Sequence, residues 1–152
     1  MEIPVEYPLD TDGFLRRECP HCTGEFKWHH GPVDSRPDDA VDPPRYSCPL
    51  CGQTADHDQW FTQAQVQYQH DIANFYATDV VNEEMKKAFR GSKNIKFTPG
   101  RSTAPAPAPL TEPDDMLIIE SPCHPWEPVK LPHERVDSGP VFCLVCGESF
   151  SA

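Results

Sequence analysis

Two short cysteine pairs set the terms on which this chain can fold. Cys19-Pro20-His21-Cys22 and Cys48-Pro49-Leu50-Cys51 are Cys-x-x-Cys units separated by 25 residues, each running into a turn-forming stretch. That pattern places four thiolates where one tetrahedral zinc ion can take them, and it closes the intervening chain into a loop.

Composition makes such staples necessary. Only 38% of the 152 residues are apolar, and 18 are proline. Each proline fixes φ and removes a backbone donor, so long sheets and continuous bundles are disfavoured and the core is small. Six of the seven cysteines sit in or beside short paired motifs. Paired motifs of this kind, in a total of seven that would leave a disulfide scheme with an unpaired thiol, suit metal ligation in a reducing compartment better than a secreted disulfide framework. No apolar run approaches the length of a membrane span, and the first residues, Met1-Glu2-Ile3-Pro4-Val5-Glu6, are acidic and interrupted by proline. The expectation is a cytoplasmic protein without a membrane partner.

Along the chain, residues 1–17 read as an acidic lead-in that is loosely held. Residues 18–61 read as a four-cysteine module. Glu25 to His30 alternates as a strand, Gly31 to Pro44 is a loop rich in proline and aspartate, and Arg45 to Ser47 returns as a strand. The two Cys-x-x-Cys units around such a hairpin resemble the zinc-ribbon fold group found in transcription factors and polymerase subunits, over residues 19–52. Cys-Pro-His-Cys also resembles the active motif of thioredoxin-fold oxidoreductases. That motif needs a strand before it and a helix after it, whereas here a strand-like segment follows. His29 and His30 are expected to be polar residues at a strand end.

Residues 62–91 predict one long amphipathic helix. Thr62 and Gln65 form a capping box, Phe61 and Val66 have staple spacing, and Gly91 suits the stop. Ala64, Tyr68, Ile72, Phe75, Tyr76, Val80, Met85, Ala88 and Phe89 make an apolar stripe at 3–4 spacing. The stripe is longer than a ribbon covers, so part of it faces something else: the rest of this chain, such as the second module, or a protein partner or second copy.

Charge is unevenly spread. The formal net charge is -11, yet Lys86, Lys87, Arg90, Lys93, Lys96 and Arg101 follow one another without an acidic residue between 86 and 101. The first three complement a helix C-terminus. The last three offer a contact for phosphate or an acidic partner. Residues 92–113 then read as a basic and Ala/Pro-rich linker, extended as polyproline II and acting as a spacer.

Residues 114–152 read as a second ribbon-like module. Met116 to Ile119 is a short strand, and Cys143-Leu144-Val145-Cys146 repeats the paired motif. Its other half offers only Cys123, so the fourth ligand is His124, with His133 in the loop Leu131 to Arg135 as the alternative.

The expected architecture is therefore small α+β and metal-stabilised, with two zinc-ribbon β-modules joined by a long amphipathic helix and a Pro-rich linker. Two structural zinc ions are expected, held by Cys19, Cys22, Cys48 and Cys51, and by Cys123, His124, Cys143 and Cys146. Closed four-ligand sites leave no position for substrate, and no nucleophile-base pair, phosphate loop or cofactor fingerprint stands elsewhere. The expected role is a non-enzymatic adaptor or regulator. A nucleic-acid-associated factor using residues 86–101 is the alternative, and an acidic inhibitor of a basic partner the third.

Overall fold

The computed structural model describes residues 2–152. It divides into two compact units, one of residues 7–63 with 111–152 and one of residues 2–6 with 64–110. This corrects the expected division. The N- and C-terminal cysteine modules do not stand apart on either side of the helix and linker; they are one body.

The reason lies in the sheet. β1 (Phe14–Glu18) and β2 (Glu25–His29) form a hairpin, as do β5 (Met116–Ile119) and β6 (Val129–Pro132). β2 pairs antiparallel with β6, giving the strand order β1-β2-β6-β5. Two smaller hairpins complete the unit, β3 (Tyr46–Ser47) with β4 (Thr54–Ala55), and β7 (Val141–Phe142) with β8 (Ser149–Phe150). Residues 14–17, read as part of a loose lead-in, are instead most of a sheet strand, with Phe14 and Leu15 buried. The segment expected as a loop at Leu131 to Arg135 is the end of β6 followed by a single helical turn, α2 (His133–Val136).

Alternation splits the four-stranded sheet into two faces. Phe26, Val129 and Leu131 point to one side, where they form a core with Trp60, Ala55, Val141, Leu144 and the buried sulfurs of Cys19 and Cys48. Trp60 meets Phe26 edge-on at 5.7 Å and Trp28 at 6.1 Å. Arg17 shares this side: its guanidinium lies 4.6 Å from the Trp28 ring centroid and 5.1 Å from that of Phe61, and burial pushes its pKa down to about 10.

The other side is charged. Arg16 pairs with Lys27, and Lys27 with Lys130, so three cations lie in a row across three strands. Lys27 and Lys130 are 0% and 2% exposed. Acidic residues from two distant segments close over them. Asp10 accepts from Lys27 at 3.1 Å and from Lys130 at 2.8 Å, and Asp12 takes Lys130 at 2.6 Å. Glu112 and Asp115 take Lys27 at 2.9 and 3.1 Å and Arg16 at 2.9 and 2.7 Å. Burial alone would lower both lysine pKa values, but these partners raise them. Burial would likewise lift Asp10, yet bonds from Lys130, the Phe14 amide and Lys27 bring it to about 2.

In the other unit, α1 (Gln63–Ala88) is 26 residues long, roughly 40 Å at 1.5 Å per residue. Gly91, at φ 84°, turns the chain. The following segment is no free spacer over its length. Phe97 stacks on Phe89 at 6.5 Å, and Gly100 exchanges two hydrogen bonds with the Asn82 side chain, at 2.8 and 2.9 Å. Ala104 to Ala108 then line a shallow cleft with Asp71 and Asn74, so the Ala/Pro run returns along the helix.

Removing Asp10 leaves two buried ammonium groups facing each other. Asp10→Asn is expected to cost about 3–5 kcal/mol, the range for breaking a buried ion pair. Glu84→Gln, which breaks the exposed Glu84–Lys87 pair, is expected to leave the unfolding midpoint almost unchanged. Urea midpoints at constant zinc measure the contrast, and equal losses would contradict it.

Candidate metal centres

Three of the cysteine motifs adopt one backbone turn. In the first, the Cys19 amide donates to the Gly24 carbonyl at 3.0 Å and the Thr23 amide donates back to the Cys19 carbonyl at 2.9 Å. Cys48 repeats this with Gln53 and Gly52, and Cys143 with Glu148 and Gly147. The fifth residue of each turn needs positive φ. Gly52 (φ 76°) and Gly147 (φ 73°) meet the need freely, while Thr23 (φ 58°) does so with a side chain.

The turn aims amides at sulfur. His21 and Cys22 amides approach Cys19 Sγ at 3.4 and 3.5 Å, and the Leu50 amide approaches Cys48 Sγ at 3.3 Å. The first turn joins β1 to β2 and the second joins β3 to β4, so two hairpins present their tips to one point. His21 ties them together, its Nε2 donating to the Thr54 carbonyl at 3.0 Å.

Cys19, Cys22, Cys48 and Cys51 converge there, with ligand atoms within 4.8 Å of one another. Cys19 Sγ lies 3.7 Å from Cys51 Sγ, and Cys22 Sγ lies 3.9 Å from Cys48 Sγ. Zinc–sulfur bonds of about 2.3 Å in a tetrahedron require sulfurs about 3.8 Å apart. The thiols are in the right places for zinc.

Cys123, His124, Cys143 and Cys146 form the second group. Cys123 Sγ is 3.4 Å from Cys146 Sγ, and Cys143 Sγ is 3.4 Å from His124 Nδ1. Of the two histidines considered, His124 joins the cluster, whereas His133 is exposed at the start of α2. Three sulfurs and an imidazole make a set that zinc accepts. Both groups are thus positioned to hold zinc, two ions per chain.

Electrostatics call for the cation. Burial, then the adjacent Cys19 sulfur, pushes the Cys48 thiol well above its ordinary value. Burial followed by Cys146 and Cys143 pushes Cys123 up to about 11. Burial also acts against ionisation at Cys143, but the Ser121 hydroxyl and the amides of Cys146 and Val145 outweigh it and bring that thiol to about 7. Four crowded thiols cannot ionise together in a small core; a divalent ion removes the conflict.

The remaining histidines stay outside both groups. His29 Nδ1 donates to the Gly31 carbonyl at 2.9 Å, and His57 stacks on Tyr46 at 4.3 Å. A third acidic group, Asp10, Asp12 and Asp114, already serves Lys27, Lys130 and Thr11. The basic residues of 86–101 do not converge on a site: all six are exposed, Lys87 pairs with Glu84 at 2.8 Å, and they spread from the end of α1 into the returning segment.

Sequence reasoning did not find Ser121. This buried hydroxyl accepts from the His124 amide at 3.1 Å and donates to Cys143 Sγ at 3.3 Å. The signal was present as Glu120-Ser121-Pro122-Cys123-His124, a near copy of Glu18-Cys19-Pro20-His21-Cys22.

Compared with protein-family models, curated proteins and solved structures, the chain finds no match.

Because Cys19, Cys48 and Cys143 belong to the buried core of the unit, metal removal should unfold it. Native mass spectrometry is expected to find two zinc ions per chain and one in Cys22→Ala. Chelation should abolish the near-ultraviolet circular dichroism of Trp28 and Trp60. A metal-free chain that keeps this signal would contradict the assignment.

Proposed function

We propose that the protein is a non-enzymatic, zinc-dependent adaptor built on two zinc-ribbon modules, working in the cytoplasm and binding another protein through α1. The observation that carries the reading is α1 itself, 26 residues with only Gln65 and Ile72 buried. Val66 and Val81 are 38% and 58% exposed, and Ile95, beyond the helix, is 52% exposed. Apolar residues held open on a long helix are the usual material of helix-in-groove or helix-pairing contacts. Ile72 and the half-buried Phe75 of the expected stripe serve the fold more than a partner.

Several features support the rest. A cysteine turn at the tip of one hairpin facing a cysteine turn in a second is the zinc-ribbon plan. Four protein ligands at each zinc leave no coordination position for water or substrate, which favours a structural over a catalytic role. Seven cysteines that all belong to the two donor sets, with no disulfide among them, suit a reducing compartment. No helix is long and apolar enough to cross a membrane.

A second reading, a nucleic-acid contact, draws on one observation. Lys86, Arg90, Lys93, Lys96 and Arg101 are exposed and form no ion pair among the described residues. Against it stands a net charge of -11, which repels phosphate at long range.

Gentle purification from the native cells followed by native mass spectrometry separates the two. The adaptor reading expects a retained protein or second copy that is lost in Val66→Asp/Val81→Asp while both zinc ions stay. Nucleic acid retained at low salt, and lost on raising salt or in Lys93→Ala/Lys96→Ala/Arg101→Ala, would replace it.

A further inference from the structure

The hydrogen-bonded registers of the two halves superimpose residue by residue. In β1 and β2, Leu15 pairs with Trp28, Arg16 with Lys27 and Arg17 with Phe26. In β5 and β6, Leu117 pairs with Leu131, Ile118 with Lys130 and Ile119 with Val129. Lys27 thus corresponds to Lys130, and these two residues pair with each other at the centre of the sheet. A residue paired with its own counterpart across antiparallel strands marks a local twofold axis.

The small hairpins obey the same relation. Tyr46 pairs with Ala55 as Val141 pairs with Phe150. The Ser47 amide donates to the Leu144 carbonyl at 2.8 Å, and the Phe142 amide donates to the Pro49 carbonyl at 3.0 Å. Ser47 corresponds to Phe142 and Pro49 to Leu144, so each bond is the other's symmetry mate. Close approaches follow suit: a Cβ on Gly52 would meet Phe142 at 2.9 Å, and one on Gly147 would meet Ser47 at 2.9 Å.

Carried one step past the strands, this register sets Glu18 against Glu120, Cys19 against Ser121, Pro20 against Pro122, His21 against Cys123 and Cys22 against His124. Cys19 Sγ receives the amide of Cys22, three residues on, at 3.5 Å, and Ser121 Oγ receives that of His124 at 3.1 Å. Ser121 Oγ also stands 3.3 Å from Cys143 Sγ and 3.8 Å from Cys123 Sγ, among the ligands rather than behind them.

We infer that the chain holds two copies of one metal module about an internal twofold, and that in the C-terminal copy Ser121 fills the position of the first ligand. There Cys123, two residues on, supplies the missing sulfur. Ser121 is a positioning residue: its hydroxyl orients the His124 turn and donates to the Cys143 sulfur without binding the metal itself. Outer hydrogen bonds of this kind fix ligand geometry and commonly change metal affinity by about 10- to 100-fold.

This assignment makes the ligand positions exchangeable. In the full-length protein, Cys123→Ala is expected to retain one zinc, and Ser121→Cys/Cys123→Ala to recover the second, with the cobalt-substituted protein regaining the second site's share of the thiolate charge-transfer intensity. The reciprocal pair, Cys19→Ser/His21→Cys, is expected to keep both zinc ions. Ser121→Ala should keep two but lose the second to a competing chelator at about 10- to 100-fold lower concentration. A Ser121→Cys/Cys123→Ala chain that stays folded with one zinc would overturn the inference. Should that chain not fold, loss of the first zinc from Cys19→Ser/His21→Cys overturns it alone.

Discussion

Lys27 and Lys130 face each other across the strand pair that joins the two halves of the sheet, and both are sealed from water. Two ammonium groups so placed repel, and desolvation adds several kcal/mol for each. The arrangement exists because the Asp10 carboxylate bridges them, with Asp12 on one side and Glu112 and Asp115 on the other. A slip of one residue between β2 and β6 would turn a lysine into the apolar core and leave Asp10 without its partners. The network therefore specifies register more than it adds stability, since a buried ion pair gains little over well-packed apolar side chains.

That register determines what the metals can do. With β2 against β6, the two longer hairpins present their tips, and the two short hairpins bond to each other beneath them. The core is drawn from both halves, with Phe26, Ala55 and Trp60 from one and Val129, Leu131, Val141 and Leu144 from the other. So small a core gains from cross-links that burial cannot replace, and zinc ligation of the kind these donors allow is worth on the order of 10 kcal/mol. Neither half has an apolar core of its own, which makes each zinc a staple for the whole unit.

What was legible in the sequence was what depends on local spacing. The Cys-x-x-Cys pairs, the glycine or threonine turns after them, β2, and α1 from Gln63 follow from patterns a few residues long. The choice of His124 followed because it is next to Cys123. What was not legible depends on partners about a hundred residues away. Asp10 and Asp12 read as part of an acidic lead-in, because nothing near them announces Lys130. Glu112 read as the end of a linker and Asp115 as the lead into the second module, for the same reason. Lys27 was one residue of an alternating strand, and the Ala-Pro run looked like a spacer, since polyproline composition fixes its local shape but not that Gly100 bonds to Asn82. Ser121 was the instructive omission: the eye searching for ligands passes over a serine, although Glu120 and Pro122 around it repeat Glu18 and Pro20.

The claim on which all of this rests is that residues 7–63 and 111–152 fold as one unit. Cutting the chain within the Ala104 to Pro109 run tests it directly, by inserting a protease site there, cleaving the native zinc-loaded protein, and weighing the products by native mass spectrometry. The account predicts that the two pieces stay together as a one-to-one complex holding both zinc ions, because β2 and β6 and the shared core do not depend on the linker. Pieces that separate, each keeping one zinc and its fold, would mean two independent modules on a tether, and the account would be wrong.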